Sequence, residues 1–272
     1  MYIKAFNYQS IFIIGVLTAT LIMVAGSAGG ENSSGLVVRW QAANERAIVS
    51  LDELETLGAK SSASSYFDRA MNFRGSTFRS ISFTDFLNRF KPGKGTDAIL
   101  LNCRDDYQGL LSLADIRRYN LRLATHIRIN AEYRKPGWLN PALILVPDGV
   151  EAPRQERFLT ANIREIIFVR LEDYYSPLSG IVENSAPGRK GFRVFQDNCL
   201  FCHSLKGIGG NKGTVLLEAY NFSKKKEATQ FLADFKVFHN KDNEDKQNVG
   251  QFVSDDQLID VAGFLRRVAG KN

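Results

Sequence analysis

The sequence predicts an α+β region over residues 35–177 followed by an all-helical region over residues 191–272. Three observations carry this reading. Up to residue 171, short apolar strand-like runs alternate with short capped helices, without the regular strand–helix–strand rhythm of a doubly wound sheet. From Tyr175-Ser176-Pro177 to Pro187-Gly188-Arg189-Lys190-Gly191 the chain is rich in proline, glycine and serine, so residues 178–190 read as a linker. Beyond it, apolar residues recur at helical spacing to the end. With 272 residues, 44% hydrophobic and 24% charged, the chain is long enough for two cores and is neither collagen-like nor a polytopic membrane protein. A net charge of +6 spread over the whole length leaves no footprint for nucleic acid.

The elements follow in order. Lys4, the apolar run Ile11 to Val24 and the small residues Gly26-Ser27-Ala28 predict a secretory signal peptide over residues 1–28. The run is short for a bilayer span, and the alternative is an uncleaved anchor. Either way the remainder is exported. Ile48-Val49 predicts a short strand, and Ser50-Leu51-Asp52-Glu53 has the spacing of a helix cap. Ser61 to Ser65 reads as a loop, and Ala70 to Phe73 and Thr77 to Ser80 as strand pieces. Phe83, Phe86, Leu87 and Phe90 predict a helix stopped by Pro92-Gly93. Ala98 to Asn102, Ala142 to Val146 and Glu165 to Leu171 predict strands, and Ser112 to Tyr119 a short helix. Helices are expected over Gly191 to His203, Ser223 to about Phe238 and Ser254 to Ala269, the last with Ser254-Asp255-Asp256 as its cap.

Cys199-Leu200-Phe201-Cys202-His203 is the C-x-x-C-H attachment signature of c-type haem. Two thiols one helical turn apart reach the two vinyl positions of one porphyrin, and the adjoining imidazole becomes the proximal iron ligand. A zinc site would need a second ligand pair, and after His203 there is no cysteine and a single histidine. A thioredoxin-type dithiol would need a surrounding strand–helix–strand pattern, which is missing.

On these residues the C-terminal region resembles a class I, single-haem cytochrome c. Gly191-Phe192 and Phe195 stand where that family has a glycine and an aromatic on its first helix. Gly207-Ile208-Gly209-Gly210-Asn211-Lys212-Gly213 resembles its glycine loop, and Phe264-Leu265 its aromatic–leucine pair on the last helix. The resemblance implies one covalent haem c on Cys199 and Cys202, iron bound by His203, and electron exchange at a haem edge near the Gly207 to Gly213 loop. One departure stands out. The family's distal ligand is a methionine, but the methionines here are Met1, Met23 and Met71. His239 is the nitrogen ligand available in the region; the alternative is a solvated loop histidine and an iron that is open or held otherwise.

The region before it resembles the sulfite-oxidase-like molybdopterin-binding fold on Arg74-Gly75, Phe83-x-x-Phe86-Leu87, Leu100 to Tyr107 and Leu111 to Ile116. In that family a strand ends at a cysteine that binds molybdenum, and a related branch lacks the metal. Cys103 stands at that position here. The expectation is a module without metal or molybdopterin, with Cys103 a core thiol. The alternative is a molybdenum oxidoreductase of the sulfite dehydrogenase type, with the haem as its electron acceptor. Arg104, Arg117, Arg118, Arg122, His126 and Arg128 could serve a pterin or form a solvated face, and His126, alternating with apolar residues, reads as structural. The function expected is electron transfer by a periplasmic c-type cytochrome with a docking module, rather than catalysis. The implied partner is a redox protein in the periplasm or at the membrane, with direct membrane contact only if the leader is retained. A haem-based ligand sensor or peroxidase is the third reading, and it requires an open iron.

Overall fold

A computed structural model describes residues 35–182, 186–240 and 248–270; the expected leader over residues 1–28 lies outside them. In the N-terminal region the elements run β1 (Leu36–Trp40), β2 (Glu45–Val49), α1 (Leu51–Glu55), β3 (Lys60–Ser62), α2 (Ser65–Met71), β4 (Thr77–Ser82) and α3 (Phe83–Phe90). They continue with β5 (Ala98–Cys103), β6 (Gln108–Ser112), α4 (Leu113–Arg118), β7 (Arg122–Arg128), β8 (Leu143–Leu145) and β9 (Ile163–Val169). One sheet has the order β2-β1-β9-β5-β6, with β1 and β9 parallel and the other pairs antiparallel. The second, β3-β4-β7-β8, is antiparallel throughout.

The centre of the first sheet is apolar on both faces. Side chains alternate along a strand, so Ile99, Leu101 and Cys103 of β5 join the main core while Ala98 and Leu100 enter a smaller cluster behind it. On β9, Ile166 and Phe168 face the main core and Ile167 and Val169 the other side. Serines start the short helices as expected. The Ser50, Ser82 and Ser112 hydroxyls accept from the backbone N–H of Glu53, Thr84 and Asp115.

Three local expectations fail: Ser61 and Ser62, read as loop, form part of strand β3, and the other two concern α2. Ser64, read as part of a loop, caps α2 by accepting from Phe67 N–H, and its hydroxyl donates to Val146 O at 2.7 Å. Ala70 and Met71, read as strand, are therefore helical, and the helix ends at Asn72 in the left-handed region. The strands β1, β6 and β7 carry no unambiguous signal, because charged or polar residues interrupt them.

The C-terminal region contains α5 (Leu171–Tyr175), α6 (Ser179–Val182), α7 (Ala186–Val194), α8 (Leu216–Ala219), α9 (Lys225–Phe238) and α10 (Asp255–Ala269). Where the sequence predicts a linker over residues 178–190, α6 and the start of α7 are helical and Leu178 is completely buried in the helical core. Ser34–Asn272 form a single compact unit. Among the described residues, no helix is long and apolar enough to cross a membrane.

Helices α7 and α10 cross in close contact. A side chain at Gly191 would run into the backbone of Asp260, so the glycine permits the approach. Phe264 then packs on Phe192 and Phe195, with ring centroids 5.4 and 5.7 Å apart. Helix α10 opens on a full capping box: Ser254 accepts from Gln257 N–H while the Gln257 side chain accepts from Ser254 N–H.

Candidate functional site

The C-x-x-C-H segment follows α7 through a π-helical turn, Phe195–Cys199, closed by Leu200 N–H donating to Phe195 O at 2.8 Å. Such turns recur at functional sites because the widened backbone re-aims the next side chains. The next turn is tight, with Cys202 N–H and His203 N–H both donating to Cys199 O. Cys199, Cys202 and His203 thereby border one cavity of about 330 Å³. Its remaining wall is largely apolar and includes Leu216, Phe231, Phe235, Phe238 and Val249. All three cysteines of the chain are buried and none forms a disulfide. Burial, with Asp197 nearby, pushes the Cys199 thiol up to about 12, so it stays protonated at neutral pH.

His203 is oriented by the backbone. Its Nδ1 lies 2.7 Å from Thr214 O, an atom that can only accept, so Nδ1 carries the proton and Nε2 is the nitrogen left for a metal. Burial depresses its pKa against the opposing effect of that hydrogen bond, which keeps the imidazole neutral, the form that binds metal. Gly213 fixes the loop over the ring: a side chain there would collide with the imidazole. Gly213 N–H also donates to Cys202 O at 2.7 Å. Paired thiols one turn apart, an oriented neutral imidazole and an apolar cavity against all three fit a covalently held haem.

The N-terminal region supplies part of this site, which sequence reasoning missed. Tyr107, in the β5–β6 turn, lines the cavity and stacks on Phe201 at 4.9 Å. Gln108 N–H donates to Phe201 O at 3.0 Å, and Asn211 N–H to Asp106 O at 2.9 Å. Gly209 N–H donates to the Tyr174 hydroxyl at 3.0 Å, which itself donates to Gln108 Oε1 at 2.6 Å. At Gly210 a side chain would strike Phe201 O, so the glycine loop lies flat between motif and turn. Phe201 and Cys202 belong to the N-terminal core, whereas Cys199, Leu200 and Leu205 belong to the helical one. The motif is the joint between the two cores. The glycines of the loop were the available signal, but nothing local told which surface they accommodate.

Cys103 ends β5 as expected and is 1% exposed. Its N–H donates to Tyr107 O at 3.0 Å, across the turn that the haem motif covers. Three of the basic residues considered for a pterin have other partners. Arg122 is committed to the Ser80 hydroxyl and carbonyl, His126 to Glu55 at 2.9 Å, and Arg118 lies over Tyr119. These three are engaged elsewhere, while Arg104 directly follows Cys103 and is exposed. His126 is largely exposed beside Glu55, while His239 joins His203 on the wall of the cavity.

Comparison with known proteins accords with this geometry. Residues 188–269 match the family model for cytochrome c. The C-terminal region is thus a cytochrome c domain, which implies covalently bound haem c and a haem-based electron-transfer role. No curated protein matches the chain.

Proposed function

We propose that the chain is an exported, periplasmic electron-transfer protein with one haem c, thioether-linked to Cys199 and Cys202 and bound axially by His203. The observation that carries this reading is the convergence of both thiols and the backbone-oriented imidazole on one apolar cavity. The haem supplies reversible one-electron chemistry at its iron. The chain's own residues do the rest. Thr214 O fixes the His203 tautomer, Gly213 holds the loop against the ring, and the phenylalanines make the cavity wall apolar.

The N-terminal region, a sulfite-oxidase-like module without metal, acts in this reading as a fixed wall of the haem site. It covers Gly209 and Gly210, so the edge offered to a redox partner is shifted from the middle of the expected glycine loop toward its Lys212 end. The open side carries exposed Lys212 and Phe238, the latter 61% exposed while lining the cavity.

The test is a Cys202→Ser variant matured in a host that attaches haem c. Loss of one thioether and of normal redox cycling is expected; unaltered attachment would sink the assignment. The molybdenum reading is tested separately by the molybdenum-to-iron ratio of the purified protein, with iron alone expected.

A further inference from the structure

Two of the chain's three histidines, His203 and His239, lie on the wall of the same cavity. Their ring centroids are 6.0 Å apart and their planes are inclined at 82°. A metal ion bonded to two imidazoles at about 2 Å each holds the ring centroids roughly 6 Å apart. The observed separation is compatible with two ligands on opposite sides of one metal ion. It also matches an edge-to-face ring contact, so what points to a metal is that both rings line one cavity beside the two motif cysteines.

The position of His239 is built rather than incidental. It caps the C-terminus of α9, where its N–H donates to Phe235 O at 2.8 Å. Its carbonyl accepts from Gly250 N–H at 2.8 Å, which ties the end of α9 to the turn before α10. The ring rests against Phe235 with centroids 5.0 Å apart. The backbone is therefore fixed from both sides. The sequence has no methionine after Met71 to compete for the position. The other cavity-lining nitrogen on a basic side chain, Lys212, sits in an exposed part of the glycine loop.

We infer that His239 is the distal axial ligand, so that the iron is held by two imidazoles and has no open position. This rests on the covalent haem reading of Cys199, Cys202 and His203. Two consequences follow. The potential lies below that of a histidine–methionine haem, because a thioether ligand favours the reduced iron. Exogenous ligands cannot bind without displacing His239, which argues against sensor or peroxidase chemistry.

The experiment uses the mature full-length holoprotein. The ferric form should be low-spin, without a sulfur-to-iron charge-transfer band, and should give the large-g paramagnetic resonance signal of nearly perpendicular imidazoles. The ferrous form should not bind carbon monoxide on mixing. His239→Ala should lose the low-spin signal and bind carbon monoxide at once, and added imidazole should restore the low-spin state. His239→Met should raise the potential, and Lys212→Ala should leave the spectrum unchanged. A His239→Ala protein that keeps the wild-type spectrum, or a wild-type protein that is high-spin or binds carbon monoxide immediately, overturns the inference. An alkaline pyridine spectrum of each sample keeps the two readings apart. Covalent haem with the wrong ligation removes His239 alone, whereas absence of covalent haem removes the underlying reading. If His239→Ala does not accumulate, the wild-type spectra and His239→Met decide.

Discussion

The two regions solve the problem of a core in different ways. The N-terminal region fills its centre with its own side chains: Phe67, Phe83, Phe86, Phe158 and Phe168 are all essentially inaccessible. The helical region packs Phe195, Phe264 and Leu265 just as tightly at the α7–α10 crossing, yet leaves a cavity of about 330 Å³ beside its motif. The cavity is partly open to solvent, and its largely apolar wall forfeits packing contacts on the side that faces it. One core is filled by the chain's own side chains, and in the proposed reading a haem completes the other. The N-terminal region lends Tyr107 to that unfinished core, so the difference also explains why the two are packed as one unit.

The largest expected effect breaks the comparison outright. Replacing Cys199 and Cys202 together by serine should abolish covalent haem and unfold the helical region preferentially. Haem retention on a denaturing gel and amide hydrogen exchange by region would read this, with β5 and β9 remaining protected. Next, Phe264→Ala removes the ring at the α7–α10 crossing and should cost about 3–5 kcal/mol. Denaturant titration of the holoprotein measures it. Gly191→Ala forces a methyl into the Asp260 backbone and should cost roughly 1–3 kcal/mol by the same assay.

Tyr107→Ala sharpens the comparison instead. It opens the haem site from the N-terminal side without touching a proposed ligand. A shifted potential with intact haem attachment is expected, and an unchanged potential would mean that the module is only an appendage.

The smallest effect concerns the N-terminal region alone. Hydrogen bonds from Arg79 first, then Thr125 and His126, hold the Glu55 carboxyl below the ordinary carboxylate range. A depressed folded-state pKa stabilises the fold above the unfolded-state value and loses that contribution as pH falls through the folded one. Glu55→Gln should therefore flatten the acid limb of a stability–pH profile and leave the haem spectrum unaltered.

What could be read in advance follows from how far apart the relevant residues lie. Cys199, Cys202 and His203 are contiguous, and their chemistry fixes their spacing, so the motif was legible without a fold. The α10 cap and the Phe264-Leu265 face were legible because capping and helical periodicity are local. The residues 178–190 misled because a proline such as Pro187 stands in the first turn of a helix as readily as in a linker, and the burial of Leu178 is decided by partners elsewhere. Tyr107 was hidden for the same reason. It lies 92 residues before Cys199 in the chain and reaches the cavity only through the register of β5 on β6.

The most direct test of the central claim is the mass of the intact mature chain, measured after extraction with acidified acetone, which removes non-covalent haem. One haem per chain should remain, lost on changing the motif cysteines. A haem-free mass for the extracted wild-type protein would contradict the account.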